Sequence, residues 1–215
     1  MTSSSKPSLF AKSYARLAPQ MDARGVAEHR AELVAGLAGS VVEVGCGPGG
    51  MFRHYPPAVT SVLAVEPDAY FRDLAIGAAG EVNGHGGTAR VAVVAGDADS
   101  LPLESGSVDA VVFSLVLCSV PDLAVALAEA RRVLKPGGAL RFYEHVRSDS
   151  RILGLIEDAI TPLWRRAAAN CHPNRDTVAA ISAAGFEVEA VRRFGFAPAP
   201  IAPGIAHVIG SARRV

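Results

Sequence analysis

The stretch VVEVGCGPGG at residues 41–50 decides the fold of this chain. Its β-branched start predicts a buried strand, and the glycines that follow predict a tight turn. Glycine has no Cβ and tolerates positive φ, so such a turn lets the backbone approach a ligand closely. We therefore predict a strand that ends in a ligand-binding loop.

A second acidic residue extends this pattern. Glu66 closes the apolar run at residues 61–65 and lies 23 positions after Glu43. Nucleotide-binding α/β sheets place an acid on a ribose hydroxyl at a spacing of about 20 residues. The glycine spacing differs from the Gly-x-Gly-x-x-Gly of dinucleotide oxidoreductases, and Pro48 removes a backbone donor. These features favour a ligand that has no pyrophosphate.

Apolar runs and helical patterns alternate along the rest of the chain, which predicts a doubly wound α/β fold with ligand at the carboxyl ends of the strands. We expect a loose tail at residues 1–8 and one domain at 9–215, in which helices 9–21 and 26–37 precede a mostly parallel sheet. The seven predicted strands are 40–44, 61–65, 89–95, 108–117, 139–143, 186–194 and 207–213.

Composition excludes several function classes. The 215 residues carry 21 basic and 21 acidic side chains without a basic run, which argues against a nucleic-acid partner or a polybasic membrane anchor. The longest apolar run, 110–120, is too short for stable membrane insertion. Three scattered cysteines without a CxxC pair indicate reduced thiols in a cytoplasmic protein. The cysteines and histidines show no metal-ligand spacing, so no metal requirement is expected.

The turn and its second acid resemble motif I and the following acidic position of class I S-adenosylmethionine (SAM)-dependent methyltransferases. Residues 95–102, AGDADSLP, resemble the family's Gly-Asp-Ala-x-x-Leu-Pro segment, although an Asx turn before a proline would give a similar pattern. The resemblance implies SAM as cofactor and S-adenosylhomocysteine as product. It places Glu43 at the methionine amino group, Glu66 at the ribose, and Asp97 and Ala98 at the adenine. The full set of implied cofactor-binding residues is Glu43, Gly45, Cys46, Gly47, Gly49, Glu66, Pro67, Asp97, Ala98, Ser114 and Leu115.

Three further segments, at residues 114–120, 143–146 and 170–176, narrow the resemblance. They are similar to a branch that contains animal proteins methylating alkyl thiols and bacterial aminolipid or natural-product methyltransferases. This implies a small, fairly apolar acceptor, such as a natural product, a lipid-like molecule or a thiol, methylated at N, S, O or carbon. The alternative is a non-catalytic SAM-binding or regulatory module, since fold alone does not fix activity.

Methyl transfer requires a base only where the nucleophile arrives protonated. His145 follows the fifth predicted strand, and His172 lies in a segment that could cover the pocket. Tyr14 lies on the first helix, which often folds over the cofactor as a lid in the family that this chain resembles. These three residues are the catalytic candidates; the alternative for each is a structural role, as a hydrogen-bonded histidine or a packing aromatic.

Overall fold

The computed structural model describes residues 8–84, 89–197 and 204–215. Most of the predicted tail (1–7) and the proline-rich part of the last strand connection (198–203) lie outside this range. Ser8 is not part of a loose tail, because its hydroxyl accepts a hydrogen bond from Ala11 N and caps the first helix.

The prediction of a seven-stranded, mostly parallel α/β sheet is confirmed. The strand order is β3-β2-β1-β4-β5-β7-β6, and only β7 runs antiparallel to its neighbours. The strands are β1 Gly39–Val44, β2 Val59–Val65, β3 Arg90–Val94, β4 Val108–Ser114, β5 Leu134–His145, β6 Phe186–Phe196 and β7 Ile205–Arg214.

Six α-helices cover the two faces of the sheet, and none within the described ranges combines the length and apolarity needed to cross a membrane. A π-helical turn, Asp22–Val26, joins the first two helices, and a 3-10 turn, Phe52–His54, follows the glycine loop. The helices are α1 Leu9–Met21, α2 Ala27–Val34, α3 Ala69–Gly84, α4 Leu123–Val133, α5 Arg151–Ala167 and α6 Thr177–Ala183.

The core has two parts because side chains alternate across each strand. In β1, Val42 and Val44 join the apolar cluster that includes residues of α4 and α6. Val41 joins the cluster on the opposite face, with residues of α2 and α3. Strand order reverses between β1 and β4, which opens a crevice at their carboxyl ends.

Some element bounds differ from the predicted ones: α2 ends at Val34 rather than at residue 37, and β5 is longer than predicted. Strand β4 ends at Ser114 rather than at residue 117, because Leu115 adopts a φ of 61° and turns the chain out of the sheet. The N-cap of α6 is Asp176, whose carboxylate accepts from Ala179 N at 3.0 Å. Gly185 follows the end of this helix with a φ of 83°, in the region that favours glycine.

Candidate functional site

A cavity of about 730 Å³ opens at the carboxyl ends of β1, β2, β4 and β5, and α1 and α5 complete its wall. It brings together most of the residues that the sequence indicated, from both the cofactor motifs and the catalytic candidates. Those that line it are Tyr14, Glu43, Gly45, Cys46, Gly47, Glu66, Pro67, Asp97, Ala98, Ser114, Leu115 and His145. Gly49 and His172 do not.

The glycine turn after β1 brings backbone to the cavity wall. Gly45 and Gly47 have φ values of 68° and 54°, in the region that favours glycine. A Cβ added at Gly45 would lie 2.6 Å from Val116 Cγ2, so the turn touches the loop after β4. A Cβ at Gly47 would meet nothing within 4 Å. Gly47 therefore leaves room for a ligand against its backbone.

The third glycine of the motif has a packing role. A Cβ added at Gly49 would lie 2.6 Å from the Phe52 ring and 3.1 Å from Ala78 on α3. The residue is buried away from the cavity. Gly49 therefore does not line the cavity, and the absence of a side chain allows the turn to pack closely against the aromatic ring.

Glu66 supports the same turn from the end of β2. One carboxylate oxygen accepts from Gly47 N at 2.8 Å, and the other accepts from Asp68 N at 2.9 Å. Burial raises the pKa of Glu66, and these two backbone hydrogen bonds oppose that rise. Each carboxylate oxygen has a further lone pair, so Glu66 can still accept from ribose hydroxyls.

One end of the cavity contains a buried acid and a buried cation. The hydroxyl of Tyr55 donates a hydrogen bond to the Glu43 carboxylate at 2.9 Å. Burial raises the pKa of Glu43 to about 8. Arg30 lines the same cavity and forms an ion pair with Asp22. An α-amino group and an α-carboxylate would find complementary partners in Glu43 and Arg30. Sequence reasoning missed Arg30, because nothing in α2 marks it as different from a solvent-exposed arginine.

The loop after β4 is held on both sides of its backbone. Fully buried Glu144 on β5 accepts hydrogen bonds from the backbone N–H groups of residues 116–118 at 2.9–3.0 Å. Arg175 donates to the carbonyls of Leu117 and Val120. Burial raises the pKa of Glu144, opposed by the three N–H donors. The loop after β4, which lines the cavity, is therefore fixed by side chains from β5 and from the segment before α6.

Cys118, His145 and Cys171 meet at this loop. His145 Nδ1 lies 3.5 Å from Cys118 Sγ and 3.4 Å from Cys171 Sγ, and the three atoms lie within 4.8 Å of one another. Both thiols are buried, and all three residues line the cavity. The hydrogen bond between the two cysteines lowers the pKa of Cys171 and raises that of Cys118. Spacing along the sequence does not reveal this cluster, since its members come from three distant segments.

His172 lies outside the cavity lining and contacts the backbone carbonyl of Cys118. Its backbone N–H donates to Cys118 O at 2.7 Å, and its ring Nδ1 lies 3.3 Å from the same oxygen. His172 therefore does not line the cavity, where a base acting on the acceptor would be expected. The neighbouring residue, Cys171, is the one that faces the cavity.

Tyr14 forms part of the wall that α1 contributes. Its ring packs against Phe10 and Phe71 with centroids 5.8 Å away, and its hydroxyl interacts with Arg30. Burial raises the pKa of Tyr14, so its hydroxyl stays protonated. Tyr14 thus packs as an aromatic side chain and also contributes a polar group to the cavity wall near Arg30.

Tyr143 begins the segment 143–146 and lines the cavity. Its hydroxyl is buried at the cavity and has no hydrogen-bond partner among the described residues. Burial raises its pKa. Buried polar groups are usually hydrogen-bonded, so this hydroxyl is available to hydrogen-bond a ligand in the cavity. Its neighbour His207 is neutral, because burial lowers the pKa of His207 to about 3.

Comparisons with known proteins agree with this geometry. The methyltransferase domain family matches residues 42–142. The human thiol S-methyltransferase TMT1B is 34% identical over 177 residues, which cover 80% of this chain and 70% of that protein. The human thiol S-methyltransferase TMT1A is 37% identical over 148 residues, or 68% of this chain. The matched part spans 59% of TMT1A, so the comparison leaves about two fifths of that relative unmatched.

Among solved structures, a SAM-dependent methyltransferase from Thermotoga maritima superposes with a TM-score of 0.70 and covers 96% of both chains. At 22% identity this likeness concerns the fold. The cofactor of the family is SAM, and the cavity holds the acids and glycines that its motifs require. The chain belongs to the class I SAM-dependent methyltransferases and resembles their thiol S-methyltransferase branch.

Proposed function

We propose that this protein transfers the methyl group of SAM to the sulfur of a small, fairly apolar thiol. The observation that carries the proposal is the shared cavity. Its cofactor side is formed by the turns after β1 and β2, and its acceptor side by the cluster of Cys118, His145 and Cys171. The relatives named as thiol S-methyltransferases support sulfur over the other acceptor atoms.

The polar groups of the cofactor side fit the parts of SAM. We assign Glu43 and Arg30 to the amino and carboxylate groups of the methionine. Glu66 would accept from the ribose hydroxyls, and Asp97 with Ala98 would bind the adenine. Gly45 and Gly47 let the backbone approach the cofactor. These assignments direct the sulfonium methyl group towards the loop after β4, which touches the glycine turn through Val116.

The cavity is lined largely by apolar side chains and would desolvate both reactants. Phe10, Leu17, Val125 and Trp164 contribute to its lining. The sulfonium is a good leaving group, so in-line alignment and exclusion of water provide much of the acceleration. The acceptor sulfur forms the new S–CH₃ bond while the C–S⁺ bond breaks, and the electron pair remains on S-adenosylhomocysteine. The thiol proton leaves to solvent or to a base.

The test is methyl transfer from labelled SAM to matched panels of alkyl thiols, amines and phenols of similar size and apolarity. We expect methylated thiols, with transfer to amines and phenols at least tenfold slower. SAM binding by calorimetry, measured on the same sample, separates catalysis from binding. Binding without transfer to any acceptor would favour the non-catalytic module, and preferential transfer to amines or phenols would contradict the thiol assignment.

A further inference from the structure

We propose that Cys118, His145 and Cys171 form a Zn²⁺ site whose fourth position faces the cavity and takes the acceptor thiol. The metal site stands on the geometry of the three residues. The identity of the fourth ligand rests on the proposed function. This inference revises the expectation of no metal, which was drawn from spacing along the sequence.

The donor set is typical of catalytic zinc. Thiolate and imidazole are the ligands that Zn²⁺ prefers, and catalytic sites use three protein ligands and leave one position open. All three residues line the cavity, so the open position would face the acceptor side. Two thiolates, one neutral imidazole and Zn²⁺ sum to zero net charge, which suits a buried location.

The distances between the sulfur and nitrogen atoms of these residues also fit a tetrahedral zinc site. Tetrahedral geometry with Zn–S of about 2.3 Å and Zn–N of about 2.0–2.1 Å places sulfur and nitrogen about 3.5 Å apart. The observed separations from His145 Nδ1 are 3.5 Å to Cys118 Sγ and 3.4 Å to Cys171 Sγ. One ring nitrogen has a single proton or a single lone pair, so it cannot bond fully to two sulfurs. One metal ion between the three atoms binds all of them.

Hydrogen bonds from neighbouring residues hold the backbone of the three proposed zinc ligands in place. Glu144 and His172 fix the backbone of Cys118 through its N–H and its carbonyl. The N–H of Cys171 donates to Ala168 O at 2.9 Å, and His145 lies on β5, where it pairs with β7. A site with ligands on such supports is preorganised for one geometry.

A thiol that completes this site would lose its proton to solvent and remain a thiolate at neutral pH. Its sulfur then forms the bond to the methyl group, as described above. The product is an uncharged thioether, a weaker ligand than a thiolate, so it can leave. His145 would serve as a ligand and no separate general base would be required.

The experiment uses the purified full chain, reduced and freed of metal, and titrates it with Zn²⁺ and in parallel with Co²⁺. We expect one equivalent of metal and the visible charge-transfer absorption of a cobalt thiolate. Cys118→Ser and Cys171→Ser should each weaken binding by more than about 100-fold, since even changes outside the ligand set cost about 10- to 100-fold. Cys46→Ser is the matched control, a buried cysteine of the same cavity that should keep full metal binding. Thermal melting checks that each variant is folded.

A small alkanethiol is then added to the Co²⁺ form, with the corresponding alcohol as control. We expect the thiol alone to change the charge-transfer band. No metal uptake by the reduced wild type overturns the site, even if thiols are methylated. Metal uptake with no response to thiol overturns the fourth-ligand assignment. Metal binding without methyl transfer to any thiol supports the metal site and contradicts the proposed function instead.

Discussion

The carboxylate of Glu144 accepts a hydrogen bond from the backbone N–H of Cys118 at 3.0 Å. Glu144 precedes His145 on β5, so one strand end fixes both a thiol-bearing loop and the imidazole beside it. The position of Cys118 is therefore set by a buried acid that itself faces away from solvent. Glu144 thus shares with Arg175 and His172 the task of holding the loop that carries Cys118.

Replacing Glu144 should destabilise the protein. Glu144→Ala leaves three backbone N–H groups without their acceptor, and one unsatisfied buried group costs about 1–3 kcal/mol. We expect a loss of at least about 3 kcal/mol in the free energy of unfolding, measured by urea denaturation. Glu157→Ala is a matched control, since Glu157 accepts a backbone N–H at 2.8 Å on a less buried site. Equal losses in the two variants would contradict the special position of Glu144.

Replacing Glu66 should affect the cofactor and the fold together. Because Glu66 also holds Gly47 and Asp68, Glu66→Ala should lower both SAM affinity and stability. Each lost contact costs about 1–3 kcal/mol, or roughly 5- to 150-fold in affinity.

A SAM analogue without ribose hydroxyls separates the two effects of Glu66. Wild type should bind the analogue more weakly than SAM, whereas Glu66→Gln should discriminate much less between them in calorimetry. An unchanged preference in the variant would refute the ribose contact.

Binding of SAM should release a proton below pH 8. The pKa of Glu43 is raised to about 8, so the ligand-free protein carries this carboxyl largely protonated at neutral pH. An ammonium group placed beside it favours the carboxylate and expels the proton. Calorimetry in two buffers of different ionisation enthalpy measures the release, and Glu43→Gln should abolish it. Absence of proton release in wild type near neutral pH would contradict the amino-group assignment.

The same carboxyl gives a pH dependence to the ligand-free protein. The folded state binds more protons than the unfolded chain between the ordinary pKa of 4.5 and about 8. Stability therefore falls as pH rises through this window. Glu43→Gln should flatten the fall in the free energy of unfolding, measured at several pH values.

Deletion of residues 1–20 tests α1 as a lid. The helix buries only Ala11 completely, yet it contributes Phe10, Tyr14 and Leu17 to the cavity. We expect at least a tenfold loss of turnover with a small change in melting temperature, because water would enter the open site. Full activity of the shortened protein would exclude the lid role.

Local patterns in the sequence identified most of the residues that line the cavity at the ends of β1 and β2. The strand, the glycine turn and the second acid lie close together in the sequence, with 23 positions from Glu43 to Glu66. Their spacing along the sequence is therefore enough to predict how they are arranged in space. The packing role of Gly49 was missed, because a motif does not distinguish a glycine that faces a ligand from one that faces a ring such as that of Phe52.

The acceptor side could not be predicted in the same way. Cys118, Glu144 and Cys171 come together only through strand register and the path of the segment between α5 and α6. The early end of β4 at Leu115 also depends on that tertiary context, since the apolar run itself continues to residue 117.

The contact between Gly45 and Val116 has a consequence for engineering. Position 45 cannot vary freely, because its φ is positive and the valine methyl occupies the space of a Cβ. Position 116 carries no such backbone constraint, since the hydrogen bond from its backbone N–H to Glu144 does not depend on the side chain. Val116→Ala or Val116→Gly would enlarge the cavity beside the glycine turn. Position 116 is therefore the one to vary in order to broaden the range of acceptors by design.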